Sequence, residues 1–214
     1  MHFPSIPKIV FQTSKLKPEA YVLDQIKLFS GPQWSYFHFD DNAILDFFNK
    51  NPIPDFPDVI SKFNSFKKGA HKADLFRYYY IYLKGGIFID SDAIPRYQLD
   101  SVIKDCDFFS VESSYVPNSI FQGFIGATPN HPIIYEALKN TYWVNPKYLD
   151  NDYHYLCKDL LKIIKKFHSK SEVKLLKEAY YNDYTIQILN HFGDVVLLHY
   201  WRHKIIPKRF FLYL

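Results

Sequence analysis

Apolar positions fall along this chain in two rhythms, short uninterrupted runs and longer stretches in which they return at helical spacing. Ile6 to Phe11 opens after Pro4 and Pro7 and reads as a short buried strand. Pro18 to Phe29 reads as a helix with proline in its first turn. Trp34 to Phe39 alternates and predicts a second strand, after which Asp40 or Asp41 can cap a helix reaching Phe48. Asn51 to Pro57 holds three prolines and reads as loop. Ala70 to Leu83 contains no breaker and is apolar on most faces, so it predicts a buried helix that Gly85 and Gly86 terminate. Ile87-Phe88-Ile89 is then a buried strand with Asp90-Ser91-Asp92 at its carboxyl end.

Beyond that block the pattern predicts strands near Phe108 to Val111 and Gly123 to Ala127, and a helix from His131 to Asn140. A longer helix is expected from Asp152 to Phe167, and a last buried strand from Val195 to His199. The part from about residue 141 is otherwise expected to be helical. Alternating strands and helices point to an α/β layer fold with a mainly parallel, Rossmann-like sheet, forming one domain over residues 1–214. Ligands in such folds bind outside the carboxyl ends of strands, where the acidic pair lies.

Composition narrows the classes. Hydrophobic residues at 48% and aromatics at 19% supply a single large core and argue against disorder. The formal charge of +4 suits an anionic ligand such as a nucleotide diphosphate and is too small to argue for nucleic acid. Two cysteines, Cys106 and Cys157, make neither a disulfide framework nor a Cys-based zinc site. The start has no basic segment followed by an apolar one, and no apolar run approaches the length of a membrane span. A cytoplasmic or otherwise soluble chain, or one domain of a longer protein, is therefore expected.

A bare Asp-x-Asp means little in a chain with 17 aspartates, where about one such pair arises by chance. There are three: Asp90/Asp92, Asp105/Asp107 and Asp150/Asp152. The last two lie in polar surroundings and read as solvated surface. Asp90 and Asp92 follow a buried strand, and in an extended segment residues two apart point the same way. Two converging carboxylates repel unless a cation or proton compensates, and their oxygens suit Mg²⁺ or Mn²⁺ shared with substrate phosphates. The plainer alternative is a pair of turn acids with a helix-capping duty. Asp74 and Arg77, three apart on the predicted helix, share a face among apolar and aromatic neighbours, which argues against an ordinary solvated ion pair.

Lys72 to Tyr78, followed by Tyr82-Leu83-Lys84-Gly85-Gly86-Ile87-Phe88-Ile89-Asp90-Ser91-Asp92, resembles the signature of the DXD glycosyltransferases of family 32. Ile6 to Thr13 is similar to that family's first strand, and Trp34 to Asp41 to its second strand and turn. The resemblance runs from Ile6 to about Pro132 and implies a GT-A fold. It further implies a nucleotide-sugar donor (UDP before GDP), Mn²⁺ or Mg²⁺ as cofactor, a glycan or other hydroxyl acceptor, and retention at the anomeric carbon. Asp92 would hold the metal, with Asp90 nearer the donor ribose. Asp74 and Arg77 would grip the donor's hydroxyls and phosphate, and Gln12 and Thr13 would help seat the nucleotide. Leu197 to Trp201 resembles a family segment in which a histidine closes the site, which makes His199 a third metal ligand or a pyrophosphate donor. Gln122 would face the anomeric carbon, and Glu112 is the one inward carboxylate the later part of the chain is expected to offer. The Thr-Gly-Pro stretch of many bacterial members is missing, and Thr141 to Glu178 looks idiosyncratic, so the acceptor is open.

Two rival readings remain. A haloacid-dehalogenase-type phosphatase also places Asp-x-Asp after an apolar strand, but near its N-terminus and usually with Thr or Val two residues on, where Ile94 stands here. The second rival is a non-catalytic binding domain with the transferase fold.

Overall fold

The computed structural model describes residues 5–167, 171–183 and 185–200. Two residues named above, Pro4 and Trp201, lie outside them. The chain runs β1 (Ile9–Thr13), α1 (Ala20–Ser30), β2 (Ser35–Phe39), α2 (Asp41–Lys50), α3 (Val59–Ser65), α4 (Gly69–Lys84), β3 (Gly86–Ile89) and β4 (Ala93–Pro95). It continues with α5 (Leu99–Ile103), β5 (Phe108–Glu112), β6 (Ile120–Ala127), α6 (Pro132–Trp143), α7 (Pro146–Asn151), α8 (Tyr155–Phe167), β7 (Val173–Asn182), β8 (Thr185–Leu189) and β9 (Val195–His199).

Local chemistry explains the boundaries nearest the site. Asp40 caps α2, its carboxylate accepting from the Ala43 amide at 2.8 Å, so the first of the two candidate aspartates does the capping. Pro18 precedes the Glu19 cap of α1 and so sits just outside the helix. Helix α4 ends at Gly85, whose φ of 68° and closeness to Pro7 and Pro129 leave no room for a Cβ. The chain turns there directly into β3.

Among the described residues the strands form one nine-stranded sheet in the order β2-β1-β3-β6-β5-β7-β8-β9-β4. Alternation along its central strands feeds two cores, as period-two side chains must. Phe11, Phe88 and Phe108 face α2, α3, α4, α6 and α8, while Val10, Ile87, Ile89 and Phe109 face α1 and α5. The α/β class is as expected, but the sheet is mixed rather than mainly parallel. Parallel pairing is confined to β1 with β2, β1 with β3, and β5 with β7. The other pairings are antiparallel, and short connections, not crossover helices, join β5 to β6, β7 to β8 and β8 to β9. Between the latter two strands, Asn190 Oδ1 accepts from the amides of Phe192 and Asp194, both at 2.9 Å, and folds the hairpin.

The expectation of a helical part from about residue 141 is also corrected. It holds for α7 and α8 and fails after Phe167, where β7 and β8 follow, while the strand expected from Val195 to His199 is present as β9. In β7, Leu176 and Glu178 point inward while Lys177 points out, so an inward acid interrupts the apolar alternation that would have revealed a strand.

Candidate functional site

The carboxyl end of β3 carries the acidic pair, in a turn rather than in extended backbone. The Ala93 amide donates to the Asp90 carbonyl at 3.0 Å, and this turn, not strand alternation, brings the two carboxylates together. The Asp90 backbone is held on further sides: its amide donates to the Gly123 carbonyl at 2.8 Å, and its carbonyl accepts from Gln12 Nε2 at 2.9 Å. Gly123 also matters for what it lacks. A Cβ there would collide with Asp90 Oδ2 and the Phe121 ring, so only glycine leaves the carboxylate its place.

His199 reaches the pair through sheet register. Ala93, the residue after Asp92, pairs with His199 where β4 meets β9, and the Tyr200 amide donates to the Asp92 carbonyl at 2.9 Å. The His199 Nε2 lies 3.4 Å from Asp92 Oδ1, and the ring packs against Phe121 with centroids 4.8 Å apart. Burial disfavours the imidazolium, yet the hydrogen bond and charge of Asp92, with Asp90 and Glu178 behind it, hold its pKa above the ordinary value. One ligand atom each from Asp90, Asp92 and His199 falls within 4.8 Å of the others. Two carboxylate oxygens and an imidazole nitrogen form a donor set that fits Mn²⁺ well and Mg²⁺ acceptably.

Helix α4 presents Asp74 and Arg77 from above, and neither is a solvated surface group: they are 7% and 4% exposed. Arg77 Nη2 lies 3.4 Å from Asp74 Oδ1 and 3.8 Å from Asp90 Oδ1. Its Nη1 donates to the Gln122 carbonyl, its Nε to the Ala73 carbonyl, and its plane sits over the Phe88 ring. Arg77 therefore braces the site from within. Burial pushes the carboxyl of Asp74 up and that of Asp90 up as well; Arg77 opposes both shifts, and Asp92 reinforces that of Asp90. Asp74 and Asp90 share one guanidinium, and with Asp92 beside Asp90 the site holds an excess of negative charge that a divalent cation would relieve.

Two lobes meet here. The wider, about 540 Å³, is lined by Thr13, Ser14, Lys15 and Asp41 at the carboxyl ends of β1 and β2 and by Lys72 of α4. The other, about 350 Å³, is lined by Asp74, Gln122, Cys157, Glu178 and His199 with the loop after β5. Ala70, Arg77, Asp90, Asp92 and Tyr153 border both.

The sequence-derived candidates thus fall into distinct positions. Asp74, Arg77, Asp90, Asp92, Gln122 and His199 converge on the shared border or the smaller lobe, and Thr13 lines the wider one. Gln12 does not open to either lobe. It is fully buried, donating to the Asp90 carbonyl and accepting from Tyr36 Oη at 3.0 Å, so its side chain positions the turn instead of a nucleotide. Gln122 Oε1 accepts from Tyr78 Oη at 2.6 Å, while its Nε2 is buried with no oxygen acceptor among the described residues. Glu112 is exposed at the end of β5 and lines neither lobe, so it is not the inward carboxylate expected.

Sequence reasoning missed Glu178, Tyr153 and His71. The first is the inward acid that Glu112 was expected to be, and its signal was masked by two lysines in the same stretch. The His71 and Tyr153 rings lie tilted against each other with centroids 5.2 Å apart, joined by a 3.2 Å contact from His71 Nε2 to the Tyr153 carbonyl. The surface reading of the other acidic pairs holds for Asp150 and Asp152, which bond Lys67 and Lys158, but not for Asp107. Asp107 is 8% exposed and faces His131 Nε2 at 3.3 Å.

Residues 21–109 match the family described as glycosyltransferase sugar-binding region containing DXD motif. That span holds Asp74, Arg77, Asp90 and Asp92 and leaves out Gln12, Gln122 and His199. The chain is 31% identical over 138 residues to the mannosyl phosphorylinositol ceramide synthase CSH1 of Saccharomyces cerevisiae, across 63% of this chain and 35% of that protein. It is 27% identical over 115 residues to inositol phosphoceramide mannosyltransferase 1 of Schizosaccharomyces pombe, across 54% and 34%. The chain spans about a third of the length of these curated relatives. Among solved structures, the PaToxG glycosyltransferase aligns with a TM-score of 0.55 over 78% of this chain and 70% of that one, at 15% identity. This is a likeness of fold, and the fold is the expected GT-A type. Among the described residues no helix is long and apolar enough to cross a membrane. The phosphatase alternative is not favoured by these matches.

Proposed function

We propose that this chain, whose residues 21–109 match the DXD-containing sugar-binding region of glycosyltransferases, moves a hexosyl or deoxyhexosyl unit from a nucleotide-sugar to a hydroxyl acceptor. The observation that carries the reading is the convergence of Asp90, Asp92 and His199 at the border of two lobes, beside the buried Asp74–Arg77 pair. On this reading residues 1–214 act as one catalytic unit. The nucleotide lies in the wider lobe against Thr13 and the ends of β1 and β2, and the sugar points over Asp92 toward the smaller lobe.

A divalent cation on Asp90, Asp92 and His199, Mn²⁺ before Mg²⁺ because of the imidazole, would neutralise the diphosphate as it leaves. The chain's own groups do the rest. Asp74 accepts hydrogen bonds from sugar hydroxyls, and Arg77 holds Asp74, Asp90 and the Gln122 carbonyl in register. Gln122 offers its Nε2, which lies beside the Cys157 thiol, to the sugar or the incoming hydroxyl. UDP-sugars are the first donor class to try and GDP-sugars the second. A mannosyl unit is the sugar suggested by the relatives' names, and an inositol-bearing lipid or a growing polysaccharide the acceptor class.

Retention of configuration is part of the proposal, with the leaving phosphate taking the acceptor proton on the same face. The shortage of inward carboxylates expected from sequence no longer supports it, since Glu178 faces the smaller lobe. Retention rests instead on the family resemblance, and on the engagement of Glu178 Oε2 by three donors of the neighbouring loop. An NMR spectrum of the product showing an inverted anomeric centre would refute it.

The test of the function is a thermal-shift panel of UDP- and GDP-sugars with and without Mn²⁺, followed by turnover of whichever stabilises most. Ligand at a hundred times its Kd adds about 2.7 kcal/mol of stability, a readily seen shift. A stabilisation that requires both cation and nucleotide-sugar supports the proposal. No response to any nucleotide-sugar with either cation would end it.

A further inference from the structure

We infer that Glu178 is a positioning residue that latches the loop between β5 and β6 across the smaller lobe and so shapes the acceptor side of the site. The inference rests on the proposed function for the word acceptor, and on geometry for the latch. Residues 113–119 join two antiparallel strands and contribute Ser113, Tyr115, Val116 and Ser119 to the lobe that also contains His199 and Gln122. The wider lobe receives none of them. The loop is therefore the wall opposite the nucleotide side.

A segment of this length has little core of its own, yet it is tied down at one atom. Glu178 Oε2 accepts from Ser113 Oγ at 2.6 Å, from the Ser114 amide at 2.8 Å and from the Tyr115 amide at 3.1 Å. Ser113 Oγ in turn accepts from the Val116 amide at 3.1 Å, and Ser119 Oγ donates to the Val116 carbonyl at 2.8 Å. The carboxylate comes from β7, so it ties the loop to a different strand from the two it connects. Glu178 is only 7% exposed, and hydrogen bonds to a charged, buried acceptor are among the stronger ones. Tyr115, by contrast, is 61% exposed and stands at the rim. The lining around the latch is largely apolar: Val116, Ile120, Phe121 and Ile186, with Tyr115 and Tyr153. Such a wall suits the apolar face of a sugar ring and keeps bulk water from the reacting carbon.

Two variants of the full chain, Glu178→Ala and the milder Ser113→Ala, separate the latch from other roles. The first readout is chymotrypsin cleavage after Tyr115, followed by mass spectrometry under native conditions. Cleavage tracks the population of the open loop, so Glu178→Ala should raise it at least about tenfold and Ser113→Ala by a smaller factor. The second readout is cation-dependent hydrolysis, with water as acceptor, of the nucleotide-sugar that stabilises the wild-type chain most. A positioning role leaves the KM for that donor within about threefold and keeps or raises kcat, because an open wall admits water. Unchanged cleavage at Tyr115 in Glu178→Ala would overturn the latch. Loss of hydrolysis in a variant that melts like wild type would overturn the positioning role, since the carboxylate would then act on the chemistry itself. Absence of hydrolysis by the wild-type chain would instead count against the proposed function, and the proteolysis would still decide the latch.

Discussion

The two ends of the sheet contrast in construction. On one side β2, β1 and β3 are parallel, short and backed by α4, whose Phe76 and Tyr80 pack on Phe11 and whose Arg77 lies over Phe88. On the other side β7, β8, β9 and β4 are antiparallel and carry polar side chains inward, Glu178 among them. The first side supplies Asp74, Arg77, Asp90 and Asp92; the second supplies His199 and the latch. The proposed donor platform, built from local helix–strand packing, is thus completed by residues that only long-range strand pairing can deliver. Rigid positioning on the first side and closure by the second is the division of labour this suggests.

The largest expected effect falls on the platform. Asp92→Ala should cut cation-dependent turnover at least about 10³-fold, as removal of a central electrostatic group does. Its melting temperature should stay near that of wild type, because the lost carboxylate repelled Asp90. Normal activity in this variant, or in excess EDTA, would contradict the account. Gly123→Ala probes how tightly the second side must fit. The new methyl would displace Asp90 Oδ2 or the Phe121 ring, and misplacement near 1 Å costs about 10²-fold in rate. A stability loss of about 1–3 kcal/mol should accompany it, measured by urea unfolding.

The α4 pair distinguishes donor contact from bracing. Asp74→Asn should lower turnover of the intact nucleotide-sugar roughly 10- to 100-fold while sparing affinity for the free nucleoside diphosphate. Arg77→Lys should damage turnover too, but with a loss of stability, because lysine cannot reach Asp74, Asp90 and the Gln122 carbonyl together. Calorimetric affinities for donor and diphosphate, with melting curves, separate the two outcomes. An equal loss of both affinities in Asp74→Asn would move that residue away from the sugar.

The smallest effect concerns pH and lies away from the site. Burial lowers the pKa of His131 below the ordinary 6.5, despite Asp107 beside it. The unfolded chain therefore takes up this proton first. Its contribution to stability is complete above about 6.5 and is lost as pH falls toward the folded value. Urea unfolding at pH 7.5 and 5.5 should show a smaller difference in His131→Gln than in wild type.

The same contrast explains which features are legible in the amino-acid sequence. Helix α4, its glycine stop and β3 are written in contiguous residues, so the acidic pair and the Asp74–Arg77 pair stand out from the pattern of residues alone. His199 is legible only through resemblance, since its place beside Asp92 depends on β4, a three-residue strand with no periodicity to detect. Glu178 is hidden because an inward acid directly after a lysine looks like solvated surface. Asp107 is misread for the same reason, its partner His131 lying 24 residues away. Gln12 sits at the predicted end of the first strand, but strand position alone does not say that its amide turns inward to Asp90.

The account stands most directly on where the cation binds. Mn²⁺ titrated into the wild-type chain with saturating nucleoside diphosphate, and followed by electron paramagnetic resonance, should show one tight site. That site should weaken roughly 10- to 100-fold in His199→Ala and vanish in Asp92→Ala. Wild-type Mn²⁺ affinity in the Asp92→Ala chain would place the cation elsewhere and contradict the central claim.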